Sequence, residues 1–396
     1  MAELFMPATI YAAGAANDAP PMVMIAPSKY IQGPGVIDEV GTYLGIYGCK
    51  RAAILASSRG HRTQAARVAD SLVSSGAASV LAVFDGECSL AEIDRHAEVL
   101  KSENVDTLIA VGGGKCVDAG KAVAYRLGVR YAIVPTLASN DAPCSALSAL
   151  YTPDGVMNGV EFFPHSPSLV VVDTAVIADA SARYLVSGMG DAMATWYEAR
   201  VCMSNADART VLGARPTMAA CAMGELCAKT IYEEGERALQ AVTAAEVNAS
   251  LEKVVEANTL LSGVGFESGG LAGAHGYAQG YTNVPIVEAN YLHGEMVAMG
   301  VIAQLMMEDD EVEANRVARF FARVGLPVSL SQMSLASRDS AALDAVVEGA
   351  RGFAAFRNLP FKVTPEKIKA GLIRADELGQ IVTRETGDDA YRALHA

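Results

Sequence analysis

The segment TLIAVGGGKCVDAGKAVAYRLG, residues 107–128, decides the fold because it joins an apolar run to a helical pattern through three consecutive glycines. Its first residues are nearly all apolar, as expected for a strand that is covered on both faces of a parallel sheet. Gly112, Gly113 and Gly114 then lead into an amphipathic stretch that starts at Lys115. This order of strand, glycines and helix is typical of a doubly wound sheet.

The same alternation of apolar run and amphipathic stretch recurs on both sides of this segment. The further strand candidates are AAILA at 52–56, SVLAVF at 79–84, YAIVPT at 131–136 and SLVVVD at 168–173. Strand–helix repetition predicts an α/β dinucleotide-binding domain with a doubly wound parallel sheet. We assign this domain to residues 26–180, after an N-terminal arm over residues 1–25.

The second half of the chain has a different character. It is rich in Ala, Leu, Met and Glu at helical spacing, with few β-branched runs. We therefore predict an all-α C-terminal domain over residues 181–396. Two-domain proteins of this design commonly bind their ligand in the cleft near the carboxyl ends of the strands.

Composition and charge narrow the class of protein. Of 396 residues, 51% are hydrophobic and 19% charged, which excludes a disordered chain. The formal net charge of −14 repels phosphate backbones and anionic lipid, so neither a nucleic acid nor a membrane is an expected partner. The seven cysteines are an odd number without a C-x-x-C pair, which favours reduced thiols and a cytoplasmic location.

The glycine turn at Gly112–Lys115 is a candidate phosphate site. Glycines let the backbone approach an anion, and the following helix N-terminus presents free N–H groups. The usual G-x-G-x-x-G is absent because Val117 stands at the last glycine position, and Ala122 excludes a Walker A loop. A tight strand–helix turn without a ligand remains the alternative.

Three side chains in the helical half form a candidate metal site. His275 and His293 lie in glycine-rich, weakly charged surroundings, and Asp191 follows Gly188 and Gly190. Two imidazoles and one carboxylate suit a zinc site with an open position, where the ion would act as a Lewis acid on a substrate hydroxyl. Core histidines and an N-capping aspartate are the alternatives.

The segment PTLASNDAPCSALSALY, residues 135–151, is a third candidate element. It follows a strand and is dense in turn formers and small hydroxyl residues, so we expect a loop over the strand end. Asp141 would be exposed there to a ligand. An Asx-turn before Pro143 is the alternative role.

Taken together, these segments resemble the group III metal-dependent, or iron-containing, alcohol dehydrogenases, in particular their polyol-oxidising branch. The resemblance covers nearly the whole chain beyond the N-terminal arm. It is carried by GECSLAEIDR at 86–95, GGGKCVDAGKA at 112–122, DAPCSALS at 141–148, GMGDAMATWYEAR at 188–200, GVGFESGGLA at 263–272 and YLHGEMVAMG at 291–300.

The resemblance implies an activity and a set of roles. It implies the NAD- or NADP-linked oxidation of glycerol, or of a related vicinal diol or amino alcohol, to a hydroxyketone such as dihydroxyacetone. Asp191, His275 and His293 would hold Zn²⁺, with Fe²⁺ as the other option, and Asp141 would contact the polyol. Gly114 and Lys115 would face the cofactor phosphates. The residues implied to line the cofactor groove are Thr136, Ser139, Ser145, Leu147 and Tyr151. A homo-oligomer, often an octamer, is also implied.

Two positions depart from the family pattern. The family usually has an aspartate on the adenosine ribose where this chain has Ser57, followed by Ser58, Arg59 and His61. Losing the acid removes a charge that repels the 2′-phosphate of NADP, so we predict that NADP is accepted. A solvated loop with scattered basic residues is the alternative. Met296 stands where a lysine is common in the family, which leaves the substrate open.

Three alternative functions remain at this point. A dehydroquinate-synthase-like lyase and a glycerol-1-phosphate-dehydrogenase-like enzyme share the fold, but both need several lysines or arginines around a phosphate substrate. The candidate substrate segments here are poor in them. The third alternative is a non-catalytic nucleotide-binding relative, against which the three metal-ligand candidates argue.

Overall fold

A six-stranded parallel sheet forms the core of the N-terminal half in the computed structural model, which describes residues 4–12, 19–336 and 340–396. The strand order is β1-β8-β5-β4-β2-β3, and every pairing in this sheet is parallel. Its strands are β1 (Tyr30–Gly33), β2 (Arg51–Ser57), β3 (Ala78–Phe84), β4 (Thr107–Gly112), β5 (Arg130–Pro135) and β8 (Leu169–Asp173). The predicted doubly wound sheet is therefore confirmed.

Helices cover both faces of this sheet, which explains why the strands are apolar throughout. On β4, Leu108 and Ala110 belong to one buried cluster, whereas Ile109 and Val111 belong to another. The first cluster includes residues of the helices that follow β3 and β4, and the second includes residues of those that flank β2. The helices of this half are α1 (Pro7–Ala12), α2 (Val40–Gly45), α3 (Ser58–His61), α4 (Gln64–Ser74), α5 (Leu90–Lys101), α6 (Gly114–Leu127) and α7 (Thr174–Ala178).

Three strands lie outside the sequence prediction. The short edge strand β1 was not expected, and neither was the antiparallel hairpin of β6 (Leu147–Tyr151) and β7 (Met157–Phe162). The predicted loop at 135–151 therefore ends in a strand. The residues of β6 alternate between buried and half-buried positions, but only five residues contribute, too few for a clear period in the sequence.

The rest of the described chain is helical, in agreement with the predicted fold class. After β8, the only β pairing among the described residues is an isolated bridge between Met22 and Arg215. The helices are α8 (Ala182–Ser204), α9 (Met218–Thr243), α10 (Ala249–Glu256), α11 (Ser262–Gly269), α12 (Ala274–Tyr281), α13 (Pro285–Asn290), α14 (His293–Met307), α15 (Glu311–Val324), α16 (Ser340–Arg351), α17 (Pro365–Thr386) and α18 (Asp389–His395). The turn Ala257–Leu261, between α10 and α11, is a π-helix.

The described parts of the N-terminal arm contact both halves. Phe5 pairs with Phe162 of β7, and the backbone N–H of Ile25 donates to Ser268 Oγ at 3.0 Å. The limits of arm and domains at residues 25 and 180 stay a prediction. Among the described helices, none combines the length and the apolar character that crossing a bilayer requires.

Candidate metal centre and cofactor groove

A cavity of about 1100 Å³ runs from the carboxyl end of the sheet to the helical half. Its wall includes the glycine turn after β4 and the start of α12 and α14. The structure thus brings together thirteen of the fourteen predicted site residues, which line this cavity: Ser57, Gly112, Gly113, Gly114, Lys115, Thr136, Ser139, Asp141, Ser145, Leu147, Tyr151, His275 and His293. The fourteenth, Asp191, is fully buried beside the two histidines.

Asp191 lies in the middle of α8 and is not an N-cap, because the helix already begins at Ala182. The two glycines before it serve close packing. A Cβ at Gly188 would lie 1.9 Å from the carbonyl oxygen of Ala138, and one at Gly190 would lie 2.4 Å from that of Gly294. The glycines therefore let α8 approach both the loop after β5 and the start of α14, which carries His293.

The ligand atoms of Asp191, His275 and His293 converge. Asp191 Oδ1 lies 3.4 Å from Nε2 of His275 and 3.4 Å from Nε2 of His293. One ligand atom from each residue lies within 4.8 Å of the other two. Asp191 Oδ1 is buried and has no hydrogen-bond partner in the described structure, although an unpaired buried carboxylate oxygen is costly. Two imidazole nitrogens and one orphaned carboxylate oxygen are a donor set that fits a divalent transition metal.

The charges around this centre favour an ionised Asp191. Burial opposes ionisation, but His293 and His275 hold the pKa of Asp191 well below its usual range. The second oxygen of the carboxylate, Oδ2, accepts the backbone N–H of Asp141 at 3.1 Å. One oxygen of Asp191 is thus fixed by the backbone, while the other faces the two imidazoles.

The prediction that Asp141 is exposed is wrong, because the residue is buried, and it does not form the alternative Asx-turn either. Asn140 makes the Asx-turn, since its Oδ1 accepts the N–H of Ala142 at 3.2 Å. The Asp141 carboxylate is 7% exposed, and its Oδ2 accepts the hydroxyl of Ser262 at 2.9 Å. Burial and the charge of Asp191 raise the pKa of Asp141. The carboxyl group of Asp141 thus lies buried beside the candidate metal ligand Asp191.

The glycine turn brings backbone close to the cavity. Gly113 is the N-cap of α6, and Gly112 ends β4. A Cβ at Gly114 would lie 2.5 Å from Asn140 Nδ2, so a side chain there would displace the side chain of Asn140. The free N–H groups of the first turn of α6 favour an anion at this point. Lys115, at the same turn, forms an ion pair of 2.6 Å with Glu87.

The loop that forms one wall of the groove is anchored by a lysine that sequence reasoning did not single out. Lys121 is fully buried in α6, and its ammonium group is surrounded by four acceptors. These are Asp118 Oδ1 at 3.0 Å, Ala142 O at 2.6 Å, Ser145 Oγ at 2.9 Å and Leu147 O at 2.8 Å. Because the ammonium group binds three groups of this loop, it fixes the conformation of the segment that contains Ser145 and Leu147.

A second unpredicted residue, Glu267, holds the same loop from the helical half. Both of its carboxylate oxygens accept the N–H of Ala146, at 3.2 and 3.0 Å. Glu267 is 1% exposed, and burial raises its pKa to about 8. In the sequence, neither Lys121 nor Glu267 was distinguishable from a surface charge, because all of their partners except Asp118 lie 21 or more residues away along the chain.

Ser57 lies at the end of β2, on the rim of the cavity, and is exposed. Its hydroxyl accepts the N–H of Gly60 at 3.2 Å and caps the short helix α3. Arg59, also exposed, lines the cavity two residues further on. This part of the cavity rim therefore carries the hydroxyl of Ser57 and the guanidinium of Arg59 at the place where the family usually has an aspartate.

Glu198 is a third residue that sequence reasoning did not single out. It is fully buried in α8, and its Oε2 lies 2.6 Å from Nδ1 of His275. One signal was available: Glu198 follows Asp191 by seven residues, and residues two helical turns apart lie on the same face of a helix.

Comparison with known proteins agrees with this geometry. The family model described as iron-containing alcohol dehydrogenase matches residues 27–174. A glycerol dehydrogenase of Escherichia coli is 42% identical over 372 residues, which cover 92% of this chain and 99% of that protein. A glycolaldehyde reductase of Halobacterium salinarum is 39% identical, with 91% of this chain and 98% of that protein covered.

A solved structure supports the fold over the same extent. The crystal structure of glycerol dehydrogenase from Schizosaccharomyces pombe has a TM-score of 0.87 and 34% identity, and covers 92% of this chain and 93% of that one. Identity at this level over nearly the full length of both proteins shows common descent. The chain belongs to the iron-containing alcohol dehydrogenase family.

Proposed function

We propose that this alcohol dehydrogenase oxidises glycerol, or a vicinal diol of similar size, with a nicotinamide cofactor and a divalent metal, and catalyses the reverse reduction. One observation carries the proposal. The orphaned oxygen of Asp191 and two imidazole nitrogens meet at one end of a cavity whose other end is the glycine turn of a doubly wound sheet. In such an arrangement, an alcohol bound at the metal would lie in the same space as a dinucleotide bound at the glycine turn.

Asp191, His275 and His293 would hold the metal, for which we propose zinc. Three protein ligands with nitrogen and oxygen donors suit a catalytic Zn²⁺ site, and two histidines with one carboxylate also accommodate Fe²⁺. When bound, the metal would supply Lewis-acid chemistry that makes a substrate hydroxyl easier to deprotonate, and the nicotinamide would supply the hydride acceptor.

The protein's own residues orient the substrate. Asp141 would accept a hydrogen bond from a second hydroxyl of the polyol, which fixes the carbon that loses hydride. Gln279 of α12 and Thr282, the C-cap of that helix, line the cavity together with His275. These side chains, at spacings of four and seven residues, lie on one face of the helix and offer polar groups to a small neutral polyol.

A phosphorylated substrate is disfavoured by the cavity wall. Among the described residues that line it, Arg59 and Lys115 are the only ones with a lysine or arginine side chain. Arg59 follows β2 at the cofactor end, and Lys115 starts α6 at the glycine turn. In the described structure, neither Arg59 nor Lys115 forms a hydrogen bond or an ion pair with His275 or His293. The dehydroquinate-synthase-like and glycerol-1-phosphate-dehydrogenase-like alternatives would require several such cations around a phosphate beside the metal.

We further propose that NADP is accepted beside NAD. Ser57 and Arg59 present a hydroxyl and a guanidinium at the position where the family's aspartate would repel a 2′-phosphate. The ratio of kcat/KM for NADP to that for NAD, measured with glycerol, tests this proposal. A ratio far below one would contradict it.

The activity itself is tested by removing the metal and then restoring it. The purified protein is assayed with a panel of diols, amino alcohols and hydroxyketones before chelation, after chelation and after zinc or iron is returned. We expect glycerol-dependent reduction of NAD or NADP that falls on chelation and recovers on zinc addition. A protein that binds the dinucleotide but turns over no alcohol in any metal state would support the non-catalytic alternative.

Assembly and location are part of the same proposal. By family resemblance we expect a homo-oligomer, up to an octamer, which light scattering on the purified protein would measure. The described structure has all seven cysteines free, six of them buried, which suits the reducing cytoplasm.

A further inference from the structure

We propose that Glu198 is a positioning residue for the metal ligand His275: it selects the imidazole tautomer that turns a lone pair toward Asp191. The inference rests on the proposed metal site and adds a residue that neither lines the cavity nor contacts the proposed metal ligand atoms. Glu198 is fully buried in α8, where a carboxylate needs full compensation by hydrogen bonds or charge.

Both oxygens of Glu198 are committed to the start of α12. Oε2 lies 2.6 Å from Nδ1 of His275. Oε1 accepts the backbone N–H of His275 at 3.1 Å and that of Ala272 at 2.9 Å. One carboxylate therefore fixes both the backbone and the ring of the same residue, so the direction of the imidazole is determined at two points.

The chemistry of the ring follows from this contact. A carboxylate only accepts, so Nδ1 must carry the proton in the bond to Glu198. In the neutral imidazole the lone pair then lies on Nε2, the atom that is 3.4 Å from Asp191 Oδ1. Histidines that bind metals commonly donate their other N–H to a carboxylate in this way.

The helix α8 thus holds His275 from two sides. Asp191 faces Nε2, and Glu198, seven residues later, faces Nδ1. Seven residues are about two helical turns, so one rigid element sets both contacts. One helix, α8, therefore supplies the carboxylates that face both nitrogens of the His275 ring.

His293 lacks such support. In the described structure, no hydrogen bond reaches its Nδ1, and its side chain is 43% exposed against 12% for His275. His275 is therefore the ligand with the more defined orientation, and Glu198 is the residue that defines it. We expect the loss of Glu198 to weaken metal binding by making His275 as loosely oriented as His293.

The variant Glu198→Gln tests the tautomer directly. In this variant, the amide oxygen can still accept the backbone N–H groups of Ala272 and His275, and the NH₂ group then faces Nδ1 of His275. Because the NH₂ group donates to Nδ1, the imidazole proton moves to Nε2, and Nε2 no longer has a lone pair for a metal. We expect zinc affinity, measured by competition with a chromophoric chelator on the full chain, to fall about 10–100-fold. We also expect a changed visible absorption spectrum when Co²⁺ replaces zinc.

Asp376→Asn is the matched control. Asp376 lies on α17, is 1% exposed and accepts the backbone N–H of Leu330 at 2.8 Å. The control variant therefore also alters a buried carboxylate that accepts a hydrogen bond from a backbone N–H. We expect its melting temperature to fall while its zinc affinity and cobalt spectrum stay those of the unmodified chain. This separates the orientation of His275 from a general loss of stability.

A second variant covers the case that Glu198→Gln does not fold. Glu198→Asp keeps the charge but withdraws the oxygens by one methylene, and we expect a smaller loss of zinc affinity and a partial spectral change. Zinc affinity within about threefold of the unmodified chain, with an unchanged cobalt spectrum in a folded variant, would overturn the role of Glu198. If the unmodified chain itself bound no metal, the proposed metal site would fail instead, and the inference with it.

Discussion

The two ends of the cavity are built in different ways. At the proposed metal end, the candidate ligands are side chains, and one of them, His275, is held by the side chain of Glu198 at 2.6 Å. At the cofactor end, the glycine turn offers backbone groups, and exposed residues such as Ser57 and Arg59 stand on the rim. From this contrast we expect the metal end to depend on the buried contact that fixes the ring of His275, and the cofactor end to tolerate exchange of its exposed rim residues.

The sharpest test of this contrast removes one ligand from the metal end. In His275→Ala, we expect zinc binding and turnover to be lost together, with kcat/KM reduced at least about 10³-fold, or ~4 kcal/mol of transition-state stabilisation. Metal analysis and steady-state kinetics measure both. His165→Ala, at an exposed position, is the control and should behave like the unmodified chain. An active, metal-replete His275→Ala variant would remove this residue from the site.

The next test concerns the close approach of α8 and α14 that supports the metal end. A Cβ at Gly294 would lie 1.8 Å from the carbonyl oxygen of Ser187, so Gly294→Ala forces the two helices apart. We expect a destabilisation of more than about 3 kcal/mol and reduced zinc content. Gly352→Ala, where no atom lies within 4 Å of the new Cβ, is the control. Equal melting temperatures for the two variants would contradict this packing argument.

The third test asks whether the cofactor groove also depends on a buried carboxyl group, that of Glu267. Burial raises the pKa of Glu267 to about 8, from an ordinary value of 4.5. Between these values the folded chain keeps a proton that the unfolded chain has lost, so unfolding releases a proton and stability falls as pH rises. The contribution is fully present below about pH 4.5 and is lost as pH approaches and passes about 8.

The variant Glu267→Gln removes this titration and keeps an amide oxygen for the N–H of Ala146. We expect the unfolding free energy of the variant to decline less between pH 5 and 8, by about 3 kcal/mol at most. Urea unfolding at a series of pH values measures the slope. Parallel stability curves for the variant and the unmodified chain would show that Glu267 ionises normally.

The smallest expected effect lies at the rim of the cofactor end. In Ser57→Asp, a carboxylate at the end of β2 would repel a 2′-phosphate, so we expect the NADP-to-NAD ratio of kcat/KM to fall about 10–100-fold, or ~1.4–2.7 kcal/mol. Ser58→Asp adds the same charge at a neighbouring exposed residue that does not line the cavity, and should change the ratio less. An unchanged ratio in Ser57→Asp would place the adenosine ribose elsewhere.

The parallel sheet was predictable from the sequence because each of its central strands is continuously apolar. The predicted run at 107–114 became β4 (Thr107–Gly112), and the run at 168–173 became β8 (Leu169–Asp173). Strand β1, of four half-buried or buried residues, carries no such local signal. It forms because the edge of β8 offers it backbone partners, and that is a contact between distant parts of the chain.

The candidate site was predictable in its residue types but not in its supports. Asp191, His275 and His293 stood out by their surroundings in the sequence, and the structure brings them within reach of one ion. The sequence suggested that a helix follows Asp191, whereas α8 begins nine residues before it. Glu198, Lys121 and Glu267 were not recognised, because a buried charge and a surface charge look alike until their partners are known.

By itself, the sequence determined the class of sheet, the helical second half and the chemistry of the candidate ligands, since these depend on local periodicity and on residue type. Only the tertiary structure decided which atoms meet: that one oxygen of Asp191 is bound by the backbone while the other is free, and that Glu198 reaches His275. The physical reason is that hydrogen bonding and burial depend on groups that lie close in space and far apart along the chain.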